Sequence, residues 1–232
     1  DYCENHTEEA LKINIQAVKE ICNITKKKDI KFVQLSSDSV FDGTNLSPYK
    51  ETDSPNPINY YGKTKLESEN IVLENPNNVV VRASVLYGYL LRNLAKIESS
   101  SKKSINFGQW LIDKLTANEK VRIITDEYSS PIIVDDFARS IIHIIKHEGS
   151  GIFHSAPKLK ITRYDFSVKI AKSLDLPSEL IEPVSNKELG RDVSTGFNKC
   201  LNSEKLAKNL NYRFLTLDES LDLLKSQFRE KK

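Results

Sequence analysis

Between Thr7 and about Lys27 the apolar residues Leu11, Ile13, Ala17, Val18, Ile21 and Ile24 recur near the helical period, which predicts an amphipathic helix. Thr7, followed by Glu8 and Glu9, puts a cap and negative charge at its start. From Ile30 to Leu35 the pattern becomes that of a strand, and Ser36, Ser37 and Asp38 follow at its carboxyl end. A loop rich in Pro, Asn, Ser and Asp then runs to Pro57. A second helix is predicted over Ile58 to Glu74, and a strand over Asn78 to Leu86 that opens with Val79, Val80 and Val81. Helix, strand, helix, strand, with long apolar strands and no tight hairpin, predicts a parallel sheet covered by helices.

The stretch from Tyr89 to Ser104 is polar and reads as a mobile insertion. Beyond it the pattern predicts helices over Asn106 to Leu115, Val134 to Lys146, Thr162 to Leu174, Ser203 to Asn209 and Leu217 to Phe228. Strands are predicted at Val121 to Ile124 and Gly151 to His154.

The chain has 232 residues, enough for one sizeable core or a core with a smaller unit attached. A net charge of +2, with acids and lysines interspersed, argues against a nucleic-acid partner. No apolar run is long enough to span a bilayer, so no membrane contact is expected. Cys3, Cys22 and Cys200 are widely spaced and form no C-x-x-C, which fits neither a disulfide framework nor a zinc site and suits a cytoplasmic protein. His143 and His147 lie one helical turn apart without the Glu of an H-E-x-x-H motif, so no metal is expected.

The strongest chemical signal is Tyr61-Gly-Lys-Thr-Lys65. Tyr61 and Lys65 share one helix face, and a nearby ammonium is expected to lower the tyrosine pKa and make the phenol a usable acid or base. A bare Y-x-x-x-K is more often a solvated helix face. Here it follows a serine pair placed where a parallel strand ends, the position at which open α/β sheets bind ligands. A serine hydroxyl there can hydrogen-bond a substrate carbonyl and hold it for Tyr61.

The run from Leu35 to Gly43 resembles the S-T-D-Y-V-F-D-G segment of the dTDP-4-dehydrorhamnose reductases, a family of extended short-chain dehydrogenase/reductases. Pro48 to Glu51, Asp53 to Pro55 and Tyr61 to Leu66 resemble that family's P-Y-x-E-x-D-x-P and Y-G-x-S/T-K-L motifs. Val81 to Ser84, Leu86 to Gly88, Asn106-Phe107, Asp126 to Pro131 and Val134 to Ala138 follow in the family's order. The fold implied is a Rossmann-like doubly wound parallel sheet with a smaller C-terminal substrate-binding region. The parts implied are 1–88 and 131–155 for the dinucleotide-binding sheet, 89–130 for a substrate-binding insertion and 156–232 for the substrate-binding C-terminal region.

By the same resemblance Ser37 polarises the carbonyl, Tyr61 is the general acid and Lys65 its partner. Ser36, Tyr61, Lys65, Arg82 and Ser84 are implied to contact NADPH or NADH. Asp38, Ser39, Phe41, Asn106, Phe107, Trp110 and Arg191 are implied to face a nucleotide-sugar substrate. The reaction implied is reduction of a dTDP-4-keto-6-deoxy sugar, and a homodimer is one oligomeric state to consider. A regulatory subunit of the methionine adenosyltransferase type shares the resemblance and supplies the alternative, a docking protein of the same fold. A nucleotide-sugar epimerase or dehydratase is a further alternative, but Asp38 alone does not supply a dehydratase's acidic pair. Ser39 stands where the family has Tyr, Val85 where many members have Trp, and Ser129 and Ile132 replace Gly and Thr. None of the eight glycines forms the G-x-x-G-x-x-G turn. The family places it within roughly sixty residues ahead of the point matching Asp1, so the chain is expected to be a C-terminal fragment with poor dinucleotide affinity.

Overall fold

The computed structural model describes residues 2–89, 106–190 and 196–229. The expected insertion after Tyr89 and the expected site residue Arg191 lie outside the described residues. The chain opens with α1 (Tyr2–Asn5), α2 (Thr7–Leu11), a π-helical turn (Lys12–Gln16) and α3 (Ala17–Lys27). Residues 7 to 27 thus form the expected helix, with a widened turn inside it. The cap expected at Thr7 is absent: His6 holds the N-cap position and gives no side-chain bond. The apolar stripe is only half used. Ala10, Ile15 and Val18 are buried, whereas Leu11, Ile13, Ile21 and Ile24 are exposed.

Next come β1 (Val33–Ser37), a 3₁₀ turn (Asp38–Val40), α4 (Tyr60–Leu73), β2 (Val79–Ala83) and β3 (Leu86–Tyr87). They are followed by α5 (Phe107–Thr116), β4 (Val121–Ile124), β5 (Tyr128–Ser129), β6 (Ile132–Ile133) and α6 (Val134–Lys146). The chain continues through β7 (Gly151–Ser155), β8 (Ile161–Thr162), α7 (Arg163–Ser173), β9 (Ile181–Val184), α8 (Asn186–Leu189) and α9 (Leu217–Arg229). The helix expected at Ser203 to Asn209 is a π-helical turn over Lys205–Asn209.

The principal sheet has the order β1-β2-β7 and is parallel throughout, as the sequence pattern predicts. Val80 packs with Val18 and Val72 on one face. Val79, Val81 and Phe153 pack with Phe137, Ile144 and Leu206 on the other. A strand covered on both faces reads as a continuous apolar run, which is what Val79 to Val81 present. A separate core of Leu111, Leu115, Phe166, Ile170 and Leu224 forms between α5, α7 and α9. Beside it β4 pairs with β9, in parallel.

One row across the sheet is polar: Ser36, Arg82 and His154 stand in register on β1, β2 and β7. All three are buried. Arg82 grips Glu69 of α4 through Nε at 2.9 Å and Nη2 at 2.6 Å. The Ser36 hydroxyl donates to the same carboxylate. His154 Nδ1 lies 3.1 Å from the Tyr49 carbonyl and 3.2 Å from that of Asn202, so it carries the proton; Nε2 faces Arg82 at 3.4 Å. Burial, with the Arg82 charge behind it, pushes the His154 pKa down to about 3.

Folded His154 therefore stays neutral where the unfolded side chain, with a pKa of 6.5, takes up a proton. Unfolding binds a proton throughout that window, so stability falls as pH falls below 6.5. Urea unfolding should show this loss between about pH 7 and pH 5, at a slope of up to about 1.4 kcal/mol per pH unit from this one group. The slope should flatten in His154→Asn, and an unchanged slope would contradict the assignment.

Candidate active site

The carboxyl end of β1 brings Ser37 to the amino-terminal turn of α4. Asn59 caps that helix, its Oδ1 accepting from the Gly62 N–H at 2.8 Å. Gly62 lets α4 lie against the 3₁₀ turn: a Cβ there would stand 2.1 Å from the Ser39 carbonyl oxygen. Tyr61 and Lys65 then project along one side of the helix. Tyr61 is 38% exposed, and the Ser37 hydroxyl is among the groups that act on its phenol. Lys65 Nζ donates to the Leu35 carbonyl at 2.5 Å. Asn14 braces the helix from behind, its Nδ2 donating to Thr64 Oγ1 at 3.0 Å.

The electrostatics differ from the sequence expectation. Tyr61 is pushed up, not down: burial is the main cause, the Asp38 charge adds to it, and the Ser37 hydroxyl only partly offsets them. Lys65 has turned its ammonium to a backbone carbonyl, and burial lowers its own pKa against the pull of Glu69. Tyr61 is thus a neutral phenol at pH 7, the form that donates a proton.

Asp38 lies behind Ser37. Its Oδ1 is 3.0 Å from Ser37 Oγ and 3.4 Å from Ser39 Oγ, and its Oδ2 is 2.7 Å from Ser84 Oγ. Burial pushes the Asp38 pKa up, opposed by the Ser84 bond, the Lys199 charge, the Ser37 bond and the Arg163 charge. These groups open on a polar cavity of about 130 Å³, lined by Asp38, Ser39, Ser84, Glu127, Arg163 and Lys199 among others. A larger cavity, of about 610 Å³, is lined by Pro48, Leu159, Leu201 and Phe214, and not by Ser37, Tyr61 or Lys65.

Several expected site residues are placed elsewhere. The Arg82 side chain does not reach the cleft, because both Glu69 oxygens hold it under the sheet at 1% exposure. Ser36 is turned the same way, onto Glu69. Ser84 faces Asp38 and the polar cavity rather than the Tyr61 side. Phe41 is fully buried, stacked on Tyr49 with ring centroids 4.2 Å apart, and packs the loop after β1 instead of lining a pocket. Asn106 caps α5 through the Gln109 N–H. Phe107 and Trp110 pack on the α5–α7–α9 core. Phe107 touches the cavity wall through Arg163, whose guanidinium lies 4.8 Å from its ring centre.

Sequence reasoning missed Glu127, Arg163 and Lys199. Lys199 is buried and donates to the Phe41 carbonyl. Beside it, buried Asn198 donates to the Asn45 and Ser47 carbonyls at 2.7 and 3.2 Å. His143 and His147 turn to the Leu210 and His143 carbonyls. Among the described residues no group of three or more His, Cys, Asp or Glu could hold a metal ion, and no helix is long and apolar enough to cross a membrane.

A parallel sheet between helices, with candidate chemistry at the carboxyl ends of its strands, defines a Rossmann-like α/β protein. Within that class the chain belongs to the RmlD substrate binding domain family, whose model matches residues 1–229. It is 29% identical over 231 residues to the probable low-salt glycan biosynthesis reductase Agl14 of Haloferax volcanii, covering 99% of this chain and 74% of that protein. It is 32% identical over 198 residues to methionine adenosyltransferase 2 subunit beta of Bos taurus, covering 80% of this chain and 54% of that one. The dTDP-4-dehydrorhamnose reductase of Bacillus anthracis, solved in complex with NADP, superposes with a TM-score of 0.83 at 26% identity, covering 99% of this chain and 76% of that one. The family expected from the motifs is therefore borne out.

Gly62→Ala should part α4 from the Ser39 backbone. A loss of about 1–3 kcal/mol by chemical denaturation is expected. A variant as stable as the parent would mean that this contact does not set the Ser37–Tyr61 spacing.

Proposed function

We propose that this chain carries the proton-transfer and sugar-side machinery of an NAD(P)H-dependent reductase acting on a dTDP-4-keto-6-deoxy sugar. The observation that carries the reading is the neutral Tyr61 phenol on the first turn of α4, with Ser37 at the end of β1 acting on it and Lys65 one turn further along the helix. The residues present fit the nicotinamide-ribose end of a dinucleotide. Lys65 has three N–H donors, and the bond to the Leu35 carbonyl uses one, so the ammonium can also serve ribose hydroxyls. NADPH or NADH, when bound, supplies the hydride.

The chain's own residues do the rest. Ser37 Oγ donates to the substrate carbonyl oxygen and polarises it. Tyr61 Oη gives its proton to that oxygen as negative charge develops there. The lysine charge stabilises the phenolate left behind. The polar cavity beside Asp38 receives sugar hydroxyls through Ser39, Ser84, Glu127, Arg163 and Lys199.

A second reading is favoured by the likeness to methionine adenosyltransferase 2 subunit beta: a subunit of this fold that docks on another enzyme. The protein, with any segment that precedes Asp1 in its gene, is assayed for NAD(P)H oxidation with a dTDP-4-keto-6-deoxy sugar. Turnover should appear and fall by about 10²–10⁴ in Tyr61→Phe, the range of a general acid. Dinucleotide binding without turnover on any keto sugar would favour the docking subunit.

A further inference from the structure

The hydroxyl that is to polarise the carbonyl already has more acceptors than hydrogens. Ser37 Oγ carries one hydrogen. Asp38 Oδ1 lies 3.0 Å from it and Ser39 Oγ 3.2 Å, and the Ser39 N–H already donates to it at 3.2 Å. An ionised Asp38 is the strongest of these acceptors. With that carboxylate in place the Ser37 hydrogen points into the protein, and the substrate carbonyl meets a lone pair.

Resting on the reductase reading, we propose that Asp38 works as a neutral carboxylic acid, and that its protonation turns the Ser37 hydroxyl toward the substrate carbonyl. With the proton on Oδ1, the bond reverses: Asp38 donates to Ser37 Oγ, and the serine hydrogen is released toward the cleft. With the proton on Oδ2, Asp38 donates to Ser84 Oγ at 2.7 Å. The Ser84 hydrogen then serves the Lys199 carbonyl at 3.3 Å, a bond that competes with Asp38 in the ionised form. Oδ1 meanwhile drops from an anionic to a neutral acceptor. Protonation at Oδ2 adds a hydrogen bond within the cluster, and protonation at Oδ1 frees the serine hydrogen without losing one.

The surroundings are balanced to allow it. Lys199 and Arg163 face Asp38 from the C-terminal segment and α7 and favour the anion. Burial opposes them and prevails. Tyr61 on α4, Glu127 before β5 and Cys200 are the other titratable groups around it. The Lys199 ammonium donates to the Phe41 carbonyl, and the Arg163 guanidinium lies against the Phe107 ring. Asp38 is a positioning residue on this account: it acts through Ser37 and touches no reacting atom.

The proposal fixes the shape of the pH profile. As pH rises, kcat should fall in two steps, first as Asp38 ionises and captures the Ser37 hydrogen, then as Tyr61 ionises. In Asp38→Asn the side-chain amide stays neutral and can still donate to Ser37 or Ser84. That variant should keep turnover within about tenfold at neutral pH and lose the lower step while retaining the upper one. A lower step that survives in Asp38→Asn, or a wild type with one step only, overturns the proposal.

A second measurement does not need turnover. The infrared carbonyl stretch of a protonated carboxyl at mildly acid pH should be present in the wild type and lost in Asp38→Asn. Glu51, whose pKa burial also raises, is the background that this subtraction removes. The band should shift in Ser37→Ala and in Ser84→Ala. Its absence overturns the proposal even in an active enzyme. Its presence in a protein that turns over no keto sugar would sink the reductase reading while leaving Asp38 a neutral donor to its serines.

Discussion

The ion pair between Glu69 and Arg82 is the constraint on which the site depends. It joins α4 to β2 beneath the sheet, and Ser36 ties β1 to the same carboxylate. One helical turn before Glu69, Lys65 reaches the Leu35 carbonyl, and one turn earlier still stands Tyr61. Successive turns of one helix are thus fastened to successive residues of one strand. The spacing between Ser37 and Tyr61 follows from that lock together with the close approach of Gly62 to the Ser39 backbone. Two buried charges are costly unless both are fully hydrogen bonded, and breaking such a pair costs about 3–5 kcal/mol. Both Glu69 oxygens and the Arg82 edge that faces them are satisfied, so the lock holds as a unit.

The other organising feature is the division of polar groups by the pleat of the sheet. The row of Ser36, Arg82 and His154 serves the interior. Ser37, one residue on, opens to the cleft, because successive residues of a strand point to opposite faces. Arg82 and Ser36 therefore cannot serve both the helix clamp and a bound dinucleotide. The cleft is left with a small set of groups: a phenol kept neutral by burial, an ammonium partly engaged by a carbonyl, and a serine whose one hydrogen is contested. Chemistry there depends on which proton sits where more than on net charge.

Much of this was legible in the chain. Val79 to Val81 announced a strand buried on both faces, and the alternation of helices and strands announced a parallel sheet. Tyr61 and Lys65 shared a helix face by spacing alone, and the motif order identified the family before any coordinates. The short strands Tyr128–Ser129, Ile132–Ile133 and Ile161–Thr162 were not legible, because two residues carry no period. Strand Ile181–Val184 was missed as well, since Glu182 and Pro183 interrupt its apolar positions. Lys199 and Arg163 looked like ordinary surface cations and came to line the cavity only because distant segments converge there.

The sequence by itself determined the class of fold, the helix that carries Tyr61 and Lys65, and the serine that meets them, since local spacing and apolar period set each of these. Tertiary structure alone decided the state of the groups. It raised Tyr61 where the sequence suggested lowering, because burial and the Asp38 charge outweigh a lysine turned toward a carbonyl. It withdrew Arg82 and Phe41 from the cleft and put Lys199 and Arg163 in it. Desolvation and the sharing of single hydrogens depend on which segments close over a residue, and those segments lie far from it along the chain.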